Sequence, residues 1–148
     1  MTEPIRLLDV NVLVALTKNT HIHQEAAFDW VGGLPPGARW ATCPVTESAY
    51  LRLMLNPVVA GERHTFDVVC ALLEDLSLTP NRTFLADPTS LRSPAIDTDV
   101  ITGRQQITDF HLVNLAATSA AVLATFDRRI AEALAPEDRR HVEVIPVS

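Results

Sequence analysis

Aromatic side chains make up only 5% of this 148-residue chain, so its core must be built from Leu, Val, Ala and Ile, which the 47% apolar content supplies. Cysteine is scarce too. Cys43 and Cys70 are too few for a disulfide framework, and among apolar and small neighbours both read as reduced, buried thiols. Long apolar runs are missing: nothing approaches the roughly 18 uninterrupted residues of a membrane-spanning helix. The opening MTEPIRLLDVNVLVAL is broken by Asp9 and Asn11 and lacks a basic leader and a small-residue cleavage site, so it is not read as a signal peptide. A soluble, cytoplasmic protein without a membrane partner is the expectation. An excess of positive charge is absent as well. The formal net charge is −6 and the pI is near 5.2, which argues against an ordinary nucleic-acid-binding face built from basic side chains. No repeat, low-complexity tract or linker interrupts the chain, and its length suits one domain over residues 1–148.

What is present is an alternation of short apolar strands with helical patterns. Ile5–Val10 reads as a buried strand, and residues 11–16 continue as an apolar helical turn. Helical spacing resumes over His21–Val31 and ends at the run Gly32-Gly33-Leu34-Pro35-Pro36-Gly37. Arg39–Thr42 is strand-like, and Pro44 suits the first turn of a helix carrying Val45, Ala49, Leu51, Leu53 and Leu55 up to Asn56-Pro57. A long helix is expected from Gly61 to about Leu78. Asn81–Leu85 reads as a strand, followed by a loop rich in Pro, Asp and Ser. Thr108–Thr118 reads as a helix, Ala121–Thr125 as a strand, Arg128–Leu134 as a helix and Val142–Val147 as a last strand. Such alternation implies βαβ units and an α/β fold with a mainly parallel sheet covered on both faces. Ligands then bind beyond the carboxyl ends of the strands.

Four acids fall where that edge is expected. Asp9 and Asp127 sit at the expected carboxyl ends of strands, in Leu7-Leu8-Asp9-Val10-Asn11 and Leu123-Ala124-Thr125-Phe126-Asp127; Glu47 and Asp109 sit in the first turns of largely apolar helices. Each has a local explanation. An aspartate at a strand-to-helix junction is a good N-cap, worth about 1 kcal/mol, and an acid in a first turn gains about 0.3–1 kcal/mol from the helix dipole. Asp127 and Asp109 are open to either reading. Asp9 interrupts an apolar buried strand, and Glu47 lies past the usual capping-box position inside an apolar segment. Unpaired burial of such groups is costly, and a shared divalent cation would relieve the repulsion of all four. Mg²⁺ and Mn²⁺ prefer oxygen ligands, and such ions activate water for in-line attack on a phosphodiester. The negative net charge is then compatible with a nuclease, because the cations meet the phosphate. Lys18, Arg52, Arg63, Arg104, Arg128 and Arg129 are candidates to track an RNA backbone, although each alone reads as a solvated charge.

The segments Leu8-Asp9-Val10-Asn11-Val12-Leu13, Thr46-Glu47, Thr108-Asp109-Phe110-His111-Leu112 and Thr125-Phe126-Asp127-Arg128 together resemble the PIN-domain ribonucleases, and within them the VapC-type toxins of bacterial toxin–antitoxin pairs. Their order and spacing span nearly the whole chain. The resemblance implies a three-layer α/β/α fold, a carboxylate site for Mg²⁺ or Mn²⁺, endonucleolytic cleavage of RNA, a homodimer, and inhibition by a small cognate antitoxin. It carries the roles of catalytic and metal-binding acids onto Asp9, Glu47, Asp109 and Asp127. Asn11, Thr46 and Thr125 become candidates to orient carboxylates or water, with local capping as the alternative.

Other features point elsewhere or nowhere. His21 and His23 would face different sides of a helix, and with His64 and His111 they complete no zinc motif. His111 reads as a surface histidine with access to substrate. Asp87, Asp97 and Asp99 read as loop or cap residues, one of which can line the groove. Trp30, Trp40 and Met54 read as core or interface packing. Asp9-Val10-Asn11-Val12 superficially resembles a haloacid-dehalogenase-like phosphatase signature. Asparagine stands in place of its second acid, however, and the last third of the chain has no lysine. A non-enzymatic alternative is an interaction module whose acids bind a basic partner.

Overall fold

The computed structural model describes residues 3–18, 21–77 and 81–147. Strands β1 (Ile5–Leu8), β2 (Trp40–Thr42), β3 (Arg82–Phe84), β4 (Ala121–Thr125) and β5 (Val142–Val144) form one sheet in the order β3-β2-β1-β4-β5. Every pairing is parallel. Helices α1 (Val10–Thr17), α2 (Gln24–Gly32), α3 (Pro44–Met54), α4 (Pro57–Ala60) and α5 (Phe66–Ser77) precede β3; α6 (Ile107–Thr118) precedes β4 and α7 (Arg128–Ala133) precedes β5. The expected α/β class with a mainly parallel sheet is what forms.

Consecutive side chains on a strand point to opposite faces, and the core divides accordingly. Leu8 packs with Val12, Leu13, Trp40, Tyr50, Met54, Val69 and Leu73 in one apolar cluster. Leu7 packs with Ala41, Cys43, Phe110, Leu112, Val113, Leu115 and Leu123 in the other. The result is three layers, with α1, α3 and α5 on one side and α6 on the other. Burial on both faces is why β1 is apolar at successive positions. The α6 helix is buried nearly all round, from Phe110 and Leu112 through Ala116. Its Asn114 Oδ1 accepts from the Ala95 amide at 2.8 Å and pins the long loop before it.

The expected boundaries need correction in several places. The first strand ends at Leu8 rather than Val10, because Asp9 caps α1 and Val10 is already helical. The second helix starts at Gln24 rather than His21, and α3 ends at Met54, before Leu55. The expected Gly61–Leu78 helix begins five residues late, and a short helix that was not expected precedes it. Asn56 caps α4, Gly61 ends it in the left-handed conformation (φ +82°), and α5 starts only at Phe66; Gly has no Cβ penalty there. Residue 78 lies outside the described residues. The last strand stops at Val144. Cys43 is buried, but Cys70 is only half-buried; both are free thiols. Among the described residues no helix is long and apolar enough to cross a membrane.

Candidate active site

The strand order places a topological switch between β1 and β4, whose following helices lie on opposite faces of the sheet. A crevice opens at the carboxyl edge of such a pair, and the chain fills it with acids. Leu8 and Ala124 are partners across β1 and β4, and the Asp9 amide donates to the Ala124 carbonyl at 2.9 Å. Asp9 therefore faces the end of β4. Its Oδ1 accepts from the Val10 amide at 2.8 Å, capping α1. Its Oδ2 accepts from Thr125 Oγ1 at 2.7 Å. The Thr125 hydroxyl also accepts from the Asp127 amide at 3.1 Å, so one buried threonine positions both strand-end aspartates. Asp9 is 6% exposed. Burial pushes its carboxyl up from the usual range, opposed by the Thr125 and Val10 hydrogen bonds, with the Asp127 charge adding a further push.

Asp109 enters from the first turn of α6. It is not a cap, since the N-cap position is Gln106. Burial, then the charges of Asp9 and Asp127, raise its pKa to about 6. Three acids separated by up to 118 positions thus act on one another electrostatically, as charges of one sign held in a partly desolvated crevice do. Asp109, Asp127 and Arg129 line a cleft of about 220 Å³ with Gln105 and Phe110. Asp127 is also a cap: its Oδ1 accepts from the Arg129 amide at 3.0 Å. Both carboxylate oxygens accept from the Arg129 guanidinium at 2.9 Å. Those hydrogen bonds hold the Asp127 carboxyl below its ordinary range. For Asp127 the two sequence readings are therefore compatible, since it caps α7 and also sits among the acids.

Glu47 stands to one side of this trio. Its Oε2 accepts from Thr42 Oγ1 at 2.5 Å and from Arg82 Nη2 at 3.2 Å. The Arg82 guanidinium lies 5.8 Å from the Trp40 ring centroid. Arg82, on β3, carried no signal in the sequence, because its partner is 35 positions away. Thr46 is a local cap: its hydroxyl accepts from the Cys43 amide at 3.0 Å and donates to the Cys43 carbonyl at 3.2 Å. The Oδ1 atom of Asn11 is buried without a hydrogen-bond partner among the described residues. With Asp127 turned onto Arg129 and Glu47 onto Arg82, no group of three ligating side chains surrounds a cation position among the described residues.

The expected surface histidine is a correction. His111 is half-buried, and its Nε2 pairs with Asp87 Oδ2 at 2.5 Å, the two side chains being 21% and 7% exposed. The Asp87 Oδ1 accepts from the amide and hydroxyl of Thr89 at 3.0 and 2.6 Å. Burial opposes ionisation of Asp87, but the hydrogen bonds from Thr89 and His111 outweigh it and hold the carboxyl below its usual range. Asp97 Oδ1 accepts from the Asp99 amide at 2.8 Å, a loop role as expected. Trp40 and Met54 are core, while half-buried Trp30 donates from Nε1 to Glu143 Oε2 at 2.6 Å. Arg52, Arg63, Arg104, Arg128 and Arg129 are exposed.

Comparison with known proteins gives this edge its family. No protein-family model matches the chain. Ribonuclease VapC38 of Mycobacterium tuberculosis is 35% identical over 143 residues, 95% of this chain and 98% of that protein. Ribonuclease VapC39 of the same organism is 36% identical over 85% of this chain and 91% of its own length. Ribonuclease VapC29 is 33% identical over 84% of this chain and 87% of its own length. The crystal structure of M. tuberculosis VapC20, a sarcin–ricin-loop-cleaving toxin, superposes with a TM-score of 0.57 at 8% identity, over 86% of this chain and 94% of that one. That likeness supports the three-layer fold alone. By its sequence relatives, the chain belongs to the VapC family of PIN-domain ribonucleases.

Proposed function

We propose that the protein is a Mg²⁺- or Mn²⁺-dependent endoribonuclease, the toxin of a toxin–antitoxin pair held in check by a cognate antitoxin. One observation carries the reading: Asp9, Asp109 and Asp127 crowd the carboxyl edge at the β1/β4 switch point, where Thr125 is bonded to both strand-end aspartates and burial, with the charges of Asp9 and Asp127, pushes Asp109 up. The relatives named as ribonucleases at 33–36% identity supply the substrate class.

The residues suit a hard divalent cation. The donor set is all carboxylate oxygen, as Mg²⁺ and Mn²⁺ prefer, and like charges in a desolvated crevice are what a cation neutralises. Asp9, Asp109 and Asp127 would hold it, and Glu47 would join them only by exchanging its contact with Arg82 for the cation. When bound, such an ion acidifies a water and shields the phosphate that the water attacks. The chain's own residues do the rest. Thr125 fixes the Asp9 carboxylate and the backbone that presents Asp127. Arg129, with its side chain 86% exposed, keeps Asp127 charged and places a guanidinium beside the crevice. Arg82 holds the Glu47 carboxylate on its own side of the edge. RNA is then met by cations at an acidic edge rather than by a basic face, which reconciles the −6 charge with a nucleic-acid substrate.

The test is cleavage by the purified chain free of any partner. RNA is expected to be cut at internal bonds with Mg²⁺ or Mn²⁺, to survive in EDTA, and to survive Asp9→Ala. Cleavage that persists under both conditions would overturn the proposal. If the acids only bound a basic partner, Asp9→Ala would weaken that complex with no nuclease signal to lose. The same reading places the protein in the cytoplasm as a homodimer, and light scattering that returned the mass of a single 16.2 kDa chain would remove the dimer.

A further inference from the structure

Two clefts flank the start of α6. One holds Asp109 and belongs to the acidic crevice. The other, of about 400 Å³, is walled by Val45 of α3, Leu91 of the loop after β3 and Ile107 of α6, with Thr89, Ser90, Thr108 and His111 supplying its polar groups. Asp109 and His111 are two positions apart, about 200° around a helix of 3.6 residues per turn. A strand that crosses the amino end of α6 with its phosphate at Asp109 therefore passes the His111 side next. The second cleft is not an incidental dent. Ile107 at its wall is 46% exposed, an apolar surface left open. The ring of His111 is held in place by a nearly buried carboxylate, itself held by Thr89. Because Nε2 is engaged by Asp87, Nδ1 is the ring nitrogen left for a ligand. A fixed aromatic ring, apolar walls and hydroxyls at the rim are the chemistry of a base pocket for single-stranded nucleic acid.

We propose that the cleft between α3, α6 and the loop after β3 binds an unpaired nucleobase of the substrate RNA, one next to the scissile bond, stacked on His111. The inference rests on the ribonuclease reading and specifies how that site selects its substrate. Asp87 and Thr89 are positioning residues that act through the ring, and no proton transfer is assigned to His111.

The experiment uses a short single-stranded RNA that the protein cuts once, with abasic nucleotides placed at each position in turn. At one position near the cut, the abasic change lowers kcat/KM about tenfold for the wild type, the size of one base–aromatic stack. His111→Ala lowers kcat/KM for intact RNA by about the same factor and makes that abasic change silent, while His111→Phe restores both. A 2-aminopurine at the same position is quenched on binding to the wild type and not to His111→Ala. Should His111→Ala fail to fold, Ser90→Trp, which fills the cleft from its exposed rim, produces the same silence. An abasic penalty of equal size in wild type and variant at every position, or a 2-aminopurine that is quenched at no position, overturns the base pocket alone. A wild-type chain that leaves randomised RNA intact with Mn²⁺ overturns the ribonuclease reading beneath it.

Discussion

Thr125 is the residue on which the acidic edge turns. Its hydroxyl is buried and bonded to both strand-end aspartates. Thr125→Val keeps the shape and removes the donor, leaving Asp9 Oδ2 buried and short of a partner. The expected cost is about 1–3 kcal/mol, read by chemical denaturation, together with a roughly 10–100-fold loss of Mn²⁺ affinity, read by titration calorimetry. Asp109 sets the pH behaviour. Its folded pKa, about 6, lies above the ordinary carboxyl value of 3.8, so the folded chain binds its proton more tightly than the unfolded chain does. The stability this proton contributes is complete below about pH 4 and is lost as pH rises through about 6. Melting of the cation-free protein should show that decline, and Asp109→Asn should flatten it. Apparent Mn²⁺ affinity runs the other way and strengthens as pH rises through about 6, because cation and proton compete for Asp109. Of the residues involved, Asp9, Asp109 and Asp127 were legible from their places in the sequence. Arg82, Arg129 as the partner of Asp127, and the Asp87–His111 pair were not, because nothing local distinguishes them from ordinary charged side chains.

At the scale of elements, the helices that bear the site start at the same edge because each follows a parallel strand or a loop leaving that edge. Capping is what ties sequence to boundary here. Asp9, Asn56 and Asp127 cap α1, α4 and α7 with their own side chains, and Thr46 closes the first turn of α3. The 57–66 region differs from its reading because Pro57 starts a short helix, capped by Asn56, where a break was expected. The left-handed Gly61 ends that helix, and residues 62–65 stay non-helical until α5 starts at Phe66. A second backbone feature is Ala120, in the turn between α6 and β4 at φ +51°. An L-residue pays about 1–2 kcal/mol for that conformation, and glycine does not, although glycine loses more freedom on folding. Ala120→Gly should therefore raise stability by about 0.5–1 kcal/mol, measured as a shift in denaturation midpoint at an unchanged slope.

For the molecule as a whole, a net charge of −6 with several acids gathered at one edge means that, under the proposed function, a counter-charge at that edge is expected to raise stability. A divalent cation that binds only the folded chain stabilises it by about 2.7 kcal/mol at a hundred times its Kd. Melting at pH 7 should accordingly rise by several degrees with saturating Mn²⁺. The rise should be abolished by Asp9→Ala and should shrink at pH 5, where Asp109 holds its proton. A cation that left the melting temperature unchanged at pH 7 would remove Asp9 and Asp109 as its ligands.

The α/β class and the parallel sheet follow from the sequence by itself, and so does the choice of Asp9, Glu47, Asp109 and Asp127 as candidate acids. Hydrophobic alternation is a local property, and an acid at the end of an apolar strand is conspicuous wherever it falls. The boundary errors were of two to five residues: at Val10 and Val147 the apolar pattern runs on after the strand has ended, and at His21 and Gly61 the helix starts later than its spacing suggests. What only the tertiary structure decided is which groups meet. The register of β1 against β4 brings Thr125 onto Asp9 across 116 positions. The order β3-β2-β1-β4-β5 sets Arg82 beside Glu47 and away from the trio. Asp87, from the loop after β3, seats His111 in a cleft instead of at the surface. Those pairings depend on strand order and register, which depend on the packing of the two faces at once, and no window of neighbouring residues contains that information.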